Sequence, residues 1–99
     1  MQDKRVEAYP FPAQKNQNVE VKYNGLLKCA GADVVFLHYG QDGWKNCATK
    51  PMFRQNDGSF YATVTATGDH EVNLCFKDSA DHWDNNNGWN WNVPIKLTW

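Results

Sequence analysis

The chain has 99 residues, which is enough for one domain with one modest hydrophobic core. Ten Lys and Arg against eleven Asp and Glu give a formal net charge of -1. This balance argues against a nucleic-acid partner, because binding a polyanion requires a local surplus of basic side chains. No apolar run approaches the roughly 18 residues of a membrane span. No membrane partner is therefore expected, and the polar start, Met1–Arg5, with no apolar stretch behind it, predicts no signal peptide.

The chain divides at about residue 18 into a lead-in and a folded module. The first part, residues 1–17, contains Pro10, Pro12 and a polar run, which predict a linker. The second part, residues 18–99, has a hydrophobic period of two, as β-strands do. Strands are predicted over residues 19–23, 34–40, 60–65, 71–77 and 91–99, with a weaker edge strand over 51–55.

No segment has the pattern of an amphipathic helix, and Gly, Asp and Asn interrupt the chain about every dozen residues. About six or seven short strands in a single module are typical of two packed sheets. The sequence therefore predicts an all-β fold, an immunoglobulin-like antiparallel β-sandwich.

Aromatic side chains form 14% of the residues and include five Trp. Three of these, Trp83, Trp89 and Trp91, are interspersed with asparagines. Indole faces beside neutral hydrogen-bonding groups suit a ligand that is apolar on one face and hydroxylated at its edge. A sugar is such a ligand.

Three side chains are predicted to meet at the protein surface. Because successive side chains of a strand point to opposite faces, His38 and Phe36 are predicted on the outer face, opposite the apolar positions. Trp44 follows a glycine in the loop 40–44, and Trp83 lies in a second polar loop. Loops at the end of a sandwich can meet, so His38, Trp44 and Trp83 are predicted to form one platform. The alternative for Trp44 and for Trp83 is that the side chain packs to stabilise its own loop and contacts no ligand.

The remaining aromatic and histidine residues have plainer interpretations. Trp91 falls on the same face of its strand as the apolar residues and is predicted to lie in the core. Trp99 is predicted to cap the end of the sandwich, whereas the sequence leaves open whether Trp89 joins the site. His70 and His82 fall in polar loops and are predicted to face solvent.

Nothing in the sequence predicts a metal or another cofactor. The run Asp84–Asn87 favours a self-bonded turn, and an EF-hand alignment on Gly88 puts Trp83 and Pro94 where carboxylates are required. Three cysteines at these spacings match no zinc motif. They leave two alternatives open, namely three thiols or one disulfide with one thiol left over.

Signatures of enzymes are also missing. The chain has no G-x-S-x-G, no H-E-x-x-H and no phosphate-binding glycine loop. A sandwich of this size can hardly enclose a cleft that tunes a pair of catalytic carboxylates. We therefore predict a module that is not an enzyme.

Several motifs in this order resemble carbohydrate-binding module family 25 over about residues 18–97. They are Tyr23–Leu27, Val34–Gly40, Gly43–Trp44, Pro51–Met52, Gly58–Phe60, Phe76–Asp78 and Trp83–Gly88. The resemblance implies a β-sandwich attached to secreted amylases and related proteins, which binds α-1,4-glucans such as starch and maltooligosaccharides. It also implies that the family's His and two Trp correspond to His38, Trp44 and Trp83.

The predicted site adds four residues to these three. Lys77, Asn85 and Asn86 would supply polar contacts to sugar hydroxyls, and Phe36 an extra stacking surface. Two Trp set at an angle would follow a curved α-glucan, whereas coplanar rings would suit a flat β-glucan. The expected protein is a monomeric extracellular module within a larger protein. The alternative is an immunoglobulin-like spacer or adhesion module that docks a protein partner through its exposed aromatics.

Overall fold

The computed structural model describes residues 5–86, 88 and 90–96, with the Cys29 side chain left out. The expectations for Asn87, Trp89 and Trp99, and for the Cys29 thiol, therefore lie outside the described part of the chain. No helix in the described residues is long and apolar enough to span a bilayer.

Ten strands and one short helix make up the described fold. The strands are β1 (Val6–Tyr9), β2 (Ala13–Gln14), β3 (Asn18–Tyr23), β4 (Val35–Gln41), β5 (Lys45–Pro51), β6 (Phe53–Arg54), β7 (Phe60–Thr65), β8 (Glu71–Asp78), β9 (Trp83–Asp84) and β10 (Trp91–Lys96). The helix, α1 (Leu26–Cys29), lies between β3 and β4. Its four residues are too few to show a helical period in the sequence.

The strands form two sheets packed face to face. One is four-stranded in the order β1-β3-β7-β6, and the other is six-stranded in the order β2-β10-β8-β4-β5, with β9 paired to β8. The predicted all-β sandwich class is confirmed. Among the described strands, β2 and β10 run parallel and the other pairs run antiparallel. The immunoglobulin-like topology stays a prediction.

The core lies between the sheets and follows the alternation of the sequence. Val19, Val21 and Tyr23 of β3 are fully buried, and so are Val35 and Leu37 of β4. Burying one face of each strand removes apolar area from water, which stabilises the fold by about 25 cal/mol per Å².

The Trp91 side chain belongs to this core. It is 3% exposed, and its ring meets Phe76 edge-on with centroids 5.4 Å apart. Phe76 in turn stacks on Tyr23 at 4.2 Å. The prediction that Trp91 is a core residue is confirmed.

The lead-in differs from the linker that its prolines predict. Residues 6–9 form β1, which pairs with β3, and Val6 and Ala8 are buried in the core. Ala13 of β2 is buried beside β10. Such short apolar alternation does not stand out next to two prolines, and only pairing with distant strands makes these segments part of the fold.

The edge strands also differ from the prediction. β5 is exposed along nearly its whole length at the edge of the six-stranded sheet. Because neither of its faces is buried, its sequence has no apolar alternation to detect. The single edge strand predicted over 51–55 is divided, since Pro51 ends β5 whereas Phe53–Arg54 forms β6 in the other sheet.

Candidate carbohydrate-binding site

The outer face of the six-stranded sheet carries the predicted site. β4 lies between β8 and β5, so that His38 pairs with Cys75 on one side and Thr49 on the other. Phe36 pairs with Lys77. Directly paired residues project from the same face of a sheet. His38 and Phe36 are half-buried on this outer face, whereas the intervening Leu37 is fully buried.

His38, Trp44 and Trp83 lie together on this face. The His38 and Trp44 rings are stacked, with centroids 5.6 Å apart and an interplanar angle of 16°. Trp83 meets His38 at the same centroid distance but at 85°, and its side chain is 48% exposed. We call these three residues the three-ring platform. The structure brings the rings together, and their contact with a ligand stays a prediction.

Lys77 extends the platform toward Phe36. Its ammonium lies 5.4 Å from the centroid of the Trp83 ring and 5.9 Å from that of Phe36. It also donates to Asp81 Oδ1 at 2.8 Å. Cation–π contacts at exposed sites contribute about 0.5–1 kcal/mol each. Lys77 is thus held between two aromatic rings, with its charge at the edge of the platform.

Trp44 has an unusual backbone for a bulky residue. Its φ is 70°, in the left-handed region, as are Asp42 (48°), Gly43 (84°) and Asn46 (54°). A bulky side chain is rarely found there, so the surrounding structure must hold it.

Asn73 on β8 supplies that support. Its Oδ1 accepts the N–H of Gly43 at 3.0 Å and the N–H of Trp44 at 2.7 Å. The side chain is 2% exposed, and its Nδ2 donates to Asn92 Oδ1 at 2.7 Å and to Glu71 Oε2. Sequence reasoning missed this residue. The only available signal was a polar side chain in the otherwise mostly apolar run 72–76.

Asp42 ties the same loop to the turn before β8. Its carboxylate accepts the backbone N–H groups of Asp69 at 2.8 Å, His70 at 2.7 Å and Glu71 at 3.1 Å. These hydrogen bonds, led by that from Asp69, lower the pKa of Asp42 to about 2. A Cβ added at Gly68 would lie 2.6 Å from this carboxylate, so the turn passes too close for a side chain.

Gln41 adds a third anchor for the loop. Its Oε1 accepts the N–H groups of Thr67 and Gly68, and its Nε2 donates to the Thr65 carbonyl. Gln41 is 5% exposed. Together with Asn73 and Asp42, it fixes the loop that presents Trp44.

Trp83 is held in a different way. It pairs with Lys77 across the short β9–β8 ladder. In the preceding turn, Asp78 Oδ1 accepts the N–H groups of Ala80 and His82, and Asp78 Oδ2 lies 2.9 Å from His82 Nδ1. These contacts, chiefly the backbone hydrogen bond from His82, lower the pKa of Asp78. The His82 side chain is itself exposed, as is that of His70, in agreement with their predicted place at the surface.

The residue after Trp83 anchors the segment to the core. Asp84 is 6% exposed, and its Oδ2 accepts the Tyr23 O–H at 2.6 Å and the Leu26 N–H at 3.3 Å. The Tyr23 hydroxyl also accepts the Leu27 N–H at 3.0 Å. The short helix α1 is thereby tied to the start of the second aromatic loop.

The two predicted asparagines are hydrogen-bonded within their own loop. The Asn85 carbonyl and Oδ1 both accept the Gly88 N–H, which makes the expected self-bonded turn. Asn86 Nδ2 donates to the Asn90 carbonyl, and Asn86 Oδ1 accepts from Arg5 at 2.7 Å. Arg5 also lies over the Trp91 ring at 5.2 Å. The Asn86 amide is thus committed to closing the loop, whereas Asn85 is exposed.

Two cysteines lie close to the platform, Cys75 paired with His38 and Cys47 on the neighbouring strand β5. Cys47 and Cys75 are both free thiols, and burial raises the pKa of the Cys75 thiol to about 11. Cys47 Sγ donates to the Trp44 carbonyl at 2.7 Å. Within the described residues, no group of three or more His, Cys, Asp or Glu side chains is placed to hold a metal ion.

Comparison with known proteins finds one family profile and one relative that match this chain. The profile of starch/carbohydrate-binding module family 53 matches residues 19–76, which include His38 and Trp44 and end before Trp83. An α-amylase of Clostridium acetobutylicum is 36% identical over 89 residues, covering 89% of this chain. The chain spans only 11% of the length of that relative. No solved structure matches.

The matched family differs from the one that the motifs resemble. The motifs resemble family 25, whereas the matching profile is that of family 53. The coarser assignment, a starch-binding class of module, is confirmed, and the family number is corrected. This chain belongs to carbohydrate-binding module family 53, a family of starch/carbohydrate-binding modules.

Proposed function

We propose that this chain is a non-catalytic, monomeric module of a larger secreted protein, and that it binds α-1,4-glucans, starch and maltooligosaccharides, through the three-ring platform. The observation that carries the proposal is the geometry of the rings. Because Trp44 is nearly parallel to His38 and Trp83 is nearly perpendicular to it, the two indoles stand roughly at right angles on an exposed face.

Two angled indoles favour a curved chain over a flat one. The C–H face of a glucose ring packs on an indole and buries apolar area, at about 25 cal/mol per Å². Successive rings of an α-1,4-glucan turn relative to one another, so two of them can meet surfaces of different orientation. A flat β-glucan would require coplanar rings instead.

Polar groups around the rings suit the hydroxyl edge of the sugar. His38 Nδ1 lies 2.7 Å from Thr49 Oγ1, which leaves Nε2 as the ring nitrogen for a sugar hydroxyl. Lys77 presents an ammonium donor beside Trp83, and the exposed Asn85 presents an amide. The surface is open and the contacts are few, so we expect a modest affinity of about -5 to -7 kcal/mol.

The matched family and the amylase relative support the substrate class. A module that corresponds to about a tenth of an amylase is suited to holding a starch-active protein on its substrate. Several such modules would act together through effective concentration rather than through new contacts. This role also accounts for the proposed extracellular location, since starch-degrading enzymes meet granules outside the cell.

The central test is removal of Trp83, the more exposed of the two indoles. Trp83→Ala should abolish most binding to maltoheptaose in calorimetry and most retardation in native gels containing starch, while the Tm stays within a few degrees. Tyr9→Ala is the matched control, because Tyr9 is 73% exposed and lies on the other sheet. It should bind like the wild type.

Two further readouts define the ligand class. Maltoheptaose should change the indole fluorescence, and a cello-oligosaccharide of the same length should not. EDTA should leave binding unchanged. If starch fails to retard even the wild-type chain, the spacer or adhesion alternative replaces this proposal.

A further inference from the structure

The four-stranded sheet carries a second aromatic surface on its outer face. Phe53 of β6 is 67% exposed and pairs directly with Tyr61 of β7. Tyr61 points outward, because its neighbours Phe60 and Ala62 are buried. We call Phe53 and Tyr61 the second aromatic surface. It lies on the opposite side of the sandwich from the three-ring platform.

A shallow groove of about 340 Å³ lies beside Tyr61, lined also by Lys22, Gln55, Asn56 and Asp57. This volume falls at the low end of the range of roughly 300–1,000 Å³ that small-molecule sites occupy. A groove of this size beside an aromatic ring can hold one or two sugar units.

The charged groups of the groove are paired and fixed. Lys22 Nζ lies 3.1 Å from Asp57 Oδ2. Asp57 Oδ1 accepts both the N–H and the O–H of Ser59, at 2.9 and 2.6 Å, which lowers the pKa of Asp57. The carboxylate is therefore a preplaced hydrogen-bond acceptor at neutral pH, and Lys22 beside it is a preplaced donor.

Two amides complete the polar rim. Within the described residues, no partner hydrogen-bonds the side chains of Gln55 and Asn56, which begin the turn that ends at Gly58. An amide offers both donors and an acceptor, as paired sugar hydroxyls require. The rim thus combines neutral amides with one balanced ion pair, next to an aromatic face.

This combination favours a neutral polyhydroxylated ligand over a protein. A stable protein interface buries about 800 Å² on each partner around an apolar centre. Here the apolar part is one adjacent pair of rings, and the exposed Tyr9 on the same face is separated from it by the charged side chains of β3. Tyr61 itself donates to Glu20 at 3.0 Å, which places a carboxylate on the same face.

We propose that Phe53 and Tyr61, with Lys22, Gln55 and Asn56, form a second, weaker contact site for an α-glucan. The choice of this polymer rests on the function proposed above for the platform. Because the two sites face opposite sides of the sandwich, one module would contact two glucan chains at once.

Two-dimensional ¹H–¹⁵N NMR separates the two sites in one titration with maltoheptaose. The indole N–H signals of Trp44 and Trp83 report on the platform, and the side-chain amide signals of Gln55 and Asn56 report on the second aromatic surface. We expect both sets to shift, the amides with a midpoint at a sugar concentration about tenfold higher.

Two double variants test the independence of the sites. In Trp44→Ala/Trp83→Ala, the amide signals should still respond to the sugar. In Phe53→Ala/Tyr61→Ala, the amide response should be lost while the indole response persists. If Phe53→Ala/Tyr61→Ala does not fold, the titrations of the wild type and of Trp44→Ala/Trp83→Ala still show whether the second site binds the sugar.

The failures of the two proposals give different results. Indole signals that saturate while the amides stay still would overturn the second site and leave the platform's function standing. An absence of response in both sets would overturn both proposals. Amide shifts that follow protein dilution without sugar would show a second copy of the chain on this face, which also overturns the second site.

Discussion

The two loops that present the indoles of the platform are built on different principles. The Trp44 loop has a left-handed backbone and depends on buried amide side chains, above all Asn73, which bonds directly to the Trp44 N–H. The Trp83 segment depends on a two-residue strand pairing, on hydrogen bonds of Asp78 in an exposed turn, and on the neighbouring Asp84, which accepts from the core residue Tyr23. One indole is therefore held at its own backbone N–H by a buried side chain. The other is held by a strand pairing and a turn, and its link to the interior lies one residue further along the chain, at Asp84.

This difference shows how a small sandwich can orient two rings at right angles. A sheet alone presents side chains in parallel rows, so a ring that departs from the row must leave the strand. The Trp44 loop achieves this with a strained backbone that the interior stabilises. The Trp83 segment stays close to sheet geometry, since Trp83 itself pairs with Lys77.

The largest effect is expected from Asn73→Leu, which removes the buried acceptor of the Gly43 and Trp44 N–H groups. We expect the free energy of unfolding to fall by about 2–3 kcal/mol, since two part-buried donors lose their partner and the left-handed loop loses its support. The affinity for maltoheptaose should fall about tenfold, because Trp44 loses its position against His38. Urea unfolding and calorimetry at a temperature where the variant is folded measure the two effects.

Asn92→Ala is the matched control for this variant. Asn92 contacts Asn73 Nδ2, so its removal leaves the acceptor of the Trp44 N–H in place. Its binding should be close to that of the wild type. If Asn73→Leu lowers stability but binds maltoheptaose normally, Asn73 does not position Trp44.

A smaller and pH-dependent effect is expected from Asp42→Asn. The pKa of Asp42 in the folded chain, about 2, is below its ordinary value of 3.8. A depressed carboxylate pKa contributes stability above pH 4, and this contribution is lost as the pH falls toward 2. Asp42→Asn should therefore lower the Tm at pH 7 and flatten its decline between about pH 4 and pH 2. Equal acid profiles for the variant and the wild type would contradict this role.

The smallest effect on stability is expected from Asp78→Asn. The hydrogen bonds of Asp78 lie in an exposed turn, where water replaces lost partners readily. The Tm should change little, whereas maltoheptaose should bind more weakly because Trp83 is less well oriented. If Asp78→Asn lowers the Tm more than Asp42→Asn does, the Trp83 segment depends on its turn as strongly as the Trp44 loop depends on the interior.

The parts of the site that lie on strands could be predicted from the sequence. The outward direction of His38 and Phe36 followed from alternation, and the loop position of Trp44 followed from the glycines around it. Trp83 was predicted in a loop but lies in the two-residue strand β9, which is too short to show an alternation. The contact of Asn86 with a ligand stays a prediction, and its hydrogen bond from Arg5, near the other end of the chain, had no signal in the local sequence. Asn73 was missed, because its partner Trp44 lies 29 positions away along the chain.

The sequence by itself determined the longer strands with one buried face, such as β3, β4, β7 and β10, since alternation of apolar and polar residues records which side meets water. Only the tertiary structure decided that residues 6–14 join the sheets, that the exposed segment β5 is a strand, and that two distant loops converge on His38. These features arise from hydrogen bonds and ring contacts between segments far apart in the chain. Such contacts produce no periodic pattern in the local sequence, because the two partners meet only after the chain has folded.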